Sequence, residues 1–198
     1  ESAQYVMTGL RASYDYLPLS HYQAAGKAHE ILHWDRNSRF CSACGTPMEQ
    51  KEDIMKRCPK CGREVYPSIS TAILVLVRKE DSLLLVHARN FKGTFNSLVA
   101  GFLETGETLE ECVAREVKEE TGLDIAGCRY LFSIPNLYPY SGFEVHTVDM
   151  FFECLTESFD GAKAEDDAAE IIILPANQLN PDDFGLQSIK KAVDRYIK

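Results

Sequence analysis

Residues Gly101–Leu123, GFLETGETLEECVAREVKEETGL, constrain this chain more than any other stretch. Glu116, Glu119 and Glu120 are three and four residues apart, so a helix projects them from neighbouring positions. Crowding of like charge is unfavourable unless something positive sits among it. Thr108 followed by Glu111 has the form of a capping box, and Gly122 suits the position just past a helix end. Leu109, Val113 and Val117 form an apolar row beside the acidic one. One face is therefore predicted to pack on a core while the other holds carboxylates at fixed spacing. An all-oxygen cluster of this kind suits hard cations, Mg²⁺ or Mn²⁺.

The net charge of −9 argues against a broad electrostatic grip on a nucleic-acid backbone. It would also repel a polyphosphate, unless bound cations invert the local field, which agrees with a metal site on the acidic helix. The longest apolar run, Thr71–Val77, is strand-sized, so no membrane span is expected. No secretory signal is visible, and the chain opens on Glu1 without a methionine, as expected of a chain that has lost N-terminal sequence.

Seven cysteines is an odd number, and four fall into two like pairs, Cys41-Ser-Ala-Cys44-Gly45 and Cys58-Pro-Lys-Cys61-Gly62. Two such elements read as zinc knuckles, each bringing two thiolates to one ion, with glycine permitting the tight turn around the sulfurs. Four protein ligands close the coordination, so the Zn²⁺ is read as structural. Metal-bound rather than disulfide-bonded cysteines point to a reducing, cytoplasmic compartment.

At 198 residues the chain holds one ordinary domain plus a small appendage, divided here into residues 1–37, a zinc ribbon at 38–66 and an α/β domain at 67–198. In the first segment, Ser20 with Gln23 resembles a capping box opening a helix over His21–Asp35, with Tyr22, Ala25, Ala28, Leu32 and Trp34 at helical spacing. His21, His29 and His33 lack a third ligand in the pattern and are read as surface or packing histidines. Strands are predicted over Thr71–Val77, Ser82–His87, Phe95–Leu103, Cys128–Ile134, Glu144–Cys154 and Ala169–Ile173, with a turn at Lys79–Asp81 and a closing helix over Ser188–Ile197. Strands with helices to either side make an α/β/α sandwich. Cys112, Cys128 and Cys154 show no ligand spacing.

The acidic stretch resembles the Nudix box, G-x5-E-x7-R-E-U-x-E-E-x-G-U with U aliphatic, at every fixed position. The order of zinc ribbon, strand pair and box, with the strings WDRNSRFCSACGTPM, YPSISTAILVL and SLVAGFLETGETLEECVAREVKEETG, is similar to the NADH pyrophosphatases from about Leu32 onward. The resemblance implies a Nudix α/β/α sandwich and metal-dependent hydrolysis of the pyrophosphate bond of NADH or NAD⁺. It implies that Glu116, Glu119 and Glu120 bind divalent cations with the Ala100 carbonyl, and that Arg115 orients Glu119. Glu170 matches a downstream metal-binding glutamate, with Asp166 and Asp167 as competitors. Glu119 is the first choice of base, although members of the family differ on which carboxylate serves. Tyr66 and Phe102 match aromatics that contact a base, and a homodimer is implied.

That family carries S-Q-P-W-P-F-P-x-S after the box, where this chain has Ser133-Ile134-Pro135-Asn136-Leu137-Tyr138-Pro139-Tyr140-Ser141. Ser133, Pro135, Pro139 and Ser141 match. Ile134, Asn136, Leu137 and Tyr138 depart, which removes an amide and a large stacking ring from the expected substrate contacts. ADP-ribose or another nucleoside diphosphate conjugate, and a dinucleotide cap on RNA, are the alternative substrates. A ligand sensor on the same fold is the alternative outside enzymes.

Overall fold

The computed structural model describes residues 7–10, 13, 16–89, 95–140, 143–166 and 168–197. Its elements are α1 (Leu19–Asn37), β1 (Glu49–Glu52), β2 (Met55–Arg57), β3 (Glu64–Val65), β4 (Ser70–Lys79), β5 (Ser82–Ala88), β6 (Val99–Phe102), α2 (Leu109–Thr121), β7 (Gly127–Tyr140), β8 (Phe143–Leu155), β9 (Ala168–Pro175) and α3 (Gln187–Ile197). The chain divides into two units, residues 1–69 with 137–146 and residues 70–136 with 147–198. None of the described helices is long and apolar enough to cross a membrane.

In the larger unit, β4 is the central strand of a mixed sheet ordered β7-β8-β4-β5-β9. It runs parallel to β8 along one side. On its other side it pairs antiparallel with β6 over Ala72–Val75 and with β5 over Val77–Lys79. Because side chains alternate along a strand, β4 serves two cores. Ile73, Val75 and Val77 pack with Val113 and Val117 of α2, while Leu74 and Leu76 pack with Ile189 and Val193 of α3. The helices therefore cover opposite faces, and the expected α/β/α sandwich is present.

Two strands differ from their predicted bounds. The segment before Gly101 is regular only over Val99–Phe102. Ahead of it, Ser97 exchanges both backbone bonds with Val86 of β5, and the Asn96 amide donates to the Asp183 carbonyl. The chain crosses there from β5 to β4, so one continuous strand does not form. In the other direction, β7 runs on through Pro135 to Tyr140. As an edge strand of the sheet it tolerates prolines, which have no N–H to donate.

In the smaller unit, α1 starts at Leu19 with Pro18 as its N-cap and no side-chain cap. The Ser20–Gln23 capping box expected there is not formed, because the extended Pro18 begins the helix ahead of it. Ala28 and Leu32 of the expected apolar row are exposed, and Trp34 is the buried residue of this face. The Lys56 ammonium lies 5.1 Å from the Trp34 ring centroid and donates to the Asp35 carbonyl at 2.8 Å. His29 is not a bare surface histidine: its Nδ1 is 3.3 Å from Nε2 of His146, which lies 3.0 Å from the Glu30 carboxylate.

The two knuckles are built alike. Gly45 N–H donates to the Cys41 carbonyl at 2.8 Å and Gly62 N–H to the Cys58 carbonyl at 2.9 Å, both glycines in the left-handed region at φ 70° and 76°. The β1-β2-β3 sheet connects them. All four sulfurs lie within 4.8 Å of one another, with Cys41–Cys61 and Cys44–Cys58 at 3.5 Å. A tetrahedral ZnS₄ centre with Zn–S of about 2.3 Å has sulfur edges of about 3.8 Å, so the four cysteines fit structural zinc. The hydroxyl and then the amide of Thr46 hold the Cys44 thiol down to about 6, the direction that favours a thiolate ligand.

Stripping zinc, or Cys58→Ser, is expected to unfold the ribbon and so expose Trp34, the only tryptophan. Trp34 emission should shift to the red and the melting temperature should fall. Unchanged emission and melting in the zinc-free protein would count against a structural metal.

Candidate active site

The carboxylate helix α2 is fixed at both ends by its own sequence. The Thr108 hydroxyl accepts from the Glu111 amide at 3.2 Å, and Glu111 Oε2 accepts from the Thr108 amide at 2.7 Å. At the other end Gly122, at φ 71°, donates its N–H to the Lys118 carbonyl. A buried stripe of Cys112, Val113, Val117, Glu120 and Thr121 seats the helix on the sheet.

Arg115 is the positive group that the acidic spacing requires. Its Nε and Nη2 grip Glu107 in a fork at 3.0 and 2.7 Å. Nη1 donates to Glu116 at 2.7 Å and to Glu119 at 3.2 Å. Nη2 also donates to the Phe102 carbonyl at 3.2 Å, which ties α2 to β6. This fork holds the Glu107 carboxyl down to about 2. The Glu116 carboxyl is pushed up from its ordinary value, because burial outweighs the two contributions of Arg115. Glu107 did not feature among the sequence candidates. Its signal was there, as the fixed glutamate eight residues before Arg115.

Gly101, on β6 opposite Ile73, leaves the space that Glu116 occupies. A Cβ at this position would overlap the Glu116 carboxyl group. The glycine is thus required by close approach, not by its backbone angles. Ala100 pairs with Leu74 and packs on the α3 side of the sheet.

The other sequence candidates are distributed as follows. Glu119 is exposed, whereas Glu120 is 7% exposed and its backbone carbonyl accepts from the Glu165 amide. Glu170 is exposed on β9, opposite His87 of β5. The structure brings Glu116 and Glu119 together on Arg115. Phe102 is half-buried. Tyr66 belongs to the smaller unit, half exposed, with its hydroxyl donating to Glu64 at 3.0 Å. Ile134 packs in the α3-side core and Pro135 is exposed. Asn136 Nδ2 donates to the buried Asp149 at 2.9 Å, and the other Asp149 oxygen accepts from Thr147 at 2.7 Å. Ser141 and the side chain of Tyr138 lie outside the described residues, as does Asp167.

Residues 68–196 match the NUDIX domain family. The chain belongs to the Nudix family. Residues 36–66 match the NADH pyrophosphatase zinc ribbon domain, and residues 1–34 the NADH pyrophosphatase-like rudimentary NUDIX domain. This arrangement places the chain in the NADH pyrophosphatase branch. A protein of Deinococcus radiodurans named NAD-capped RNA hydrolase NudC is 41% identical over 141 residues, 68% of this chain and 50% of that protein. A Salmonella agona protein of the same name is 38% identical over 160 residues, 80% of this chain and 56% of that protein. The chain therefore spans about half the length of the curated relatives it matches. A Nudix hydrolase crystal structure from Nitrosomonas europaea shares the fold, with a TM-score of 0.60 at 23% identity over 80% of this chain and 90% of that one.

Two outcomes test this geometry. Gly101→Ala should displace Glu116 and lower turnover roughly hundredfold while the melting temperature moves by less than about 4 °C. A fully active Gly101→Ala enzyme would contradict the close packing. For Glu107 the ion pair lowers the folded-state value from 4.5 to about 2, so its stabilisation is complete above 4.5 and is lost as pH falls through about 2. Glu107→Gln should therefore flatten the dependence of unfolding free energy on pH across that window. An acid limb as steep as that of the parent would refute the pair.

Proposed function

We propose that this chain hydrolyses the pyrophosphate bond of a nicotinamide dinucleotide, NADH or NAD⁺, to AMP and the nicotinamide mononucleotide. The observation that carries the reading is the half-buried Glu116 carboxylate set beside exposed Glu119 on one capped helix, with every fixed residue of the box present. Glu116, Glu119 and Glu120, joined by the Ala100 carbonyl and Glu170, would offer the hard oxygen donors that suit Mg²⁺ or Mn²⁺. Cations bound there supply charge neutralisation on the diphosphate and lower the pKa of the attacking water.

The chain's own residues would divide the remaining work. Glu119, exposed and bonded only loosely to Arg115, accepts a proton from the attacking water. The water oxygen bonds to one phosphorus as the bond from that phosphorus to the bridging oxygen breaks, leaving two phosphomonoesters. Arg115 and Glu107 keep Glu116 and Glu119 in place, and Phe102 supplies apolar surface for a base. A homodimer belongs to the same proposal.

The name of the relatives favours a second substrate for the same chemistry, the NAD cap of an RNA. The net charge of −9 ranks it after the free dinucleotide. The test is a panel of NADH, NAD⁺, ADP-ribose and NAD-capped RNA with Mg²⁺ and then Mn²⁺, run beside Glu119→Gln. Preferred cleavage of the dinucleotides and a loss of about hundredfold or more in the variant are expected. Preference for ADP-ribose would reassign the substrate, and parental turnover in the variant would reassign the base. No turnover of anything would favour a ligand sensor.

A further inference from the structure

A cavity of about 720 Å³ opens on the α3 side of the sheet, away from the carboxylate helix, and is lined by Arg78, Arg129, Arg195, Glu153, Tyr196 and apolar residues including Leu131, Leu179 and Ile197. Its charge is the reverse of the chain as a whole: three guanidiniums face one carboxylate in a protein of net charge −9. Glu153 is the organiser, with a side chain only 11% exposed. It accepts from Arg78 at 3.3 Å, Arg129 at 2.8 Å and the Tyr196 hydroxyl at 2.7 Å. Burial pushes this carboxyl up, but its three donors outweigh burial and hold it below the ordinary range.

One carboxylate neutralises one of the two arginines it orients. The Arg129 side chain remains 71% exposed. Arg195 has no carboxylate partner among the described residues and lies 4.3 Å above the Phe132 ring, which is itself stacked on Phe151 at 5.1 Å. Exposed Asp81 also lies 3.5 Å from Arg78, so the guanidiniums are held by carboxylates and by an aromatic stack while the charge of Arg195 stays uncompensated beside the exposed Arg129. A guanidinium fork matches phosphate oxygens, and a phosphomonoester carries close to two negative charges at neutral pH. The volume lies in the range of small-molecule pockets, and the apolar lining suits a sugar and base.

We propose that this cavity binds a mononucleotide through its phosphate, at a site separate from the one on α2. The phosphate meets Arg129 and Arg195, and the nucleoside lies along Leu131, Leu179 and Ile197. The site stands independently of the proposed hydrolysis, and its test needs no turnover.

The zinc-loaded chain is titrated with AMP, adenosine and inorganic phosphate, followed by calorimetry and by methyl NMR. AMP is expected to shift the methyls of Leu131, Leu179 and Ile197, and adenosine to bind at least about tenfold more weakly. Arg129→Ala and Arg195→Ala should each weaken AMP about tenfold. Arg129→Ala removes one donor from the largely buried Glu153 and should lower the melting temperature slightly, Arg195→Ala at an exposed position should leave it unchanged, and Glu119→Gln should bind AMP in this cavity as the parent does. Shifts confined to residues around α2, or arginine variants that bind AMP as tightly as the parent, would overturn the site. Inorganic phosphate binding as tightly as AMP would overturn the assignment to a mononucleotide.

Discussion

The Arg115 guanidinium holds together what the rest of the acidic helix would push apart. Glutamates three and four residues apart on one helix repel, and partial burial of Glu116 against β6 adds a desolvation cost. Arg115 meets both with one planar group: a fork to Glu107, a shared nitrogen to Glu116 and Glu119, and a bond to the Phe102 carbonyl. Charge-assisted bonds are stronger than neutral ones, and removing Arg115 would leave the partly buried Glu116 charge without its partner, so the group acts as a unit. A lysine would carry the charge and lose the fork.

That electrostatic centre needs a rigid seat, which β4 provides. Its alternate residues pack against α2 on one face and α3 on the other, so two cores share one strand. Pairing of β6 with the first half of β4 sets Gly101 beneath Glu116, and the missing side chain of that glycine is what lets the carboxylate lie so close. Among the described residues, both buried apolar clusters belong to the larger unit. The ribbon of the smaller unit has three short strands, and four cysteines brought within 4.8 Å take over the work of a core, supported by Lys56 on Trp34.

Much of this was legible in the residues because the physics is local. Thr108, Glu111 and Gly122 announce a helix through bonds that each spans a few residues, and all three cap bonds form. The paired CxxCG elements imply two like turns, and the two turns carry the same hydrogen bonds. The unbroken apolar run Ala72–Val77 of β4 fits a strand buried on both faces. Where a local signal competed with a neighbour it failed: Ser20 and Gln23 have capping chemistry, but Pro18 starts α1 before them. The strand expected before Gly101 was shortened by a crossing between partners, which no nearby residue encodes.

By itself, then, the order of residues determined the capped acidic helix, the cysteine knuckles, the two-faced central strand and the family, since each rests on spacing along a few turns of chain. Only the tertiary structure decided that Glu107 grips Arg115 and that Gly101 makes room for Glu116. Only it placed Asn136 on Asp149 and gathered Arg78, Arg129 and Arg195 around Glu153. These last contacts join residues from up to 118 positions apart, as between Arg78 and Tyr196. Their distances follow from sheet register and helix packing, and those are set by the burial of the whole core at once.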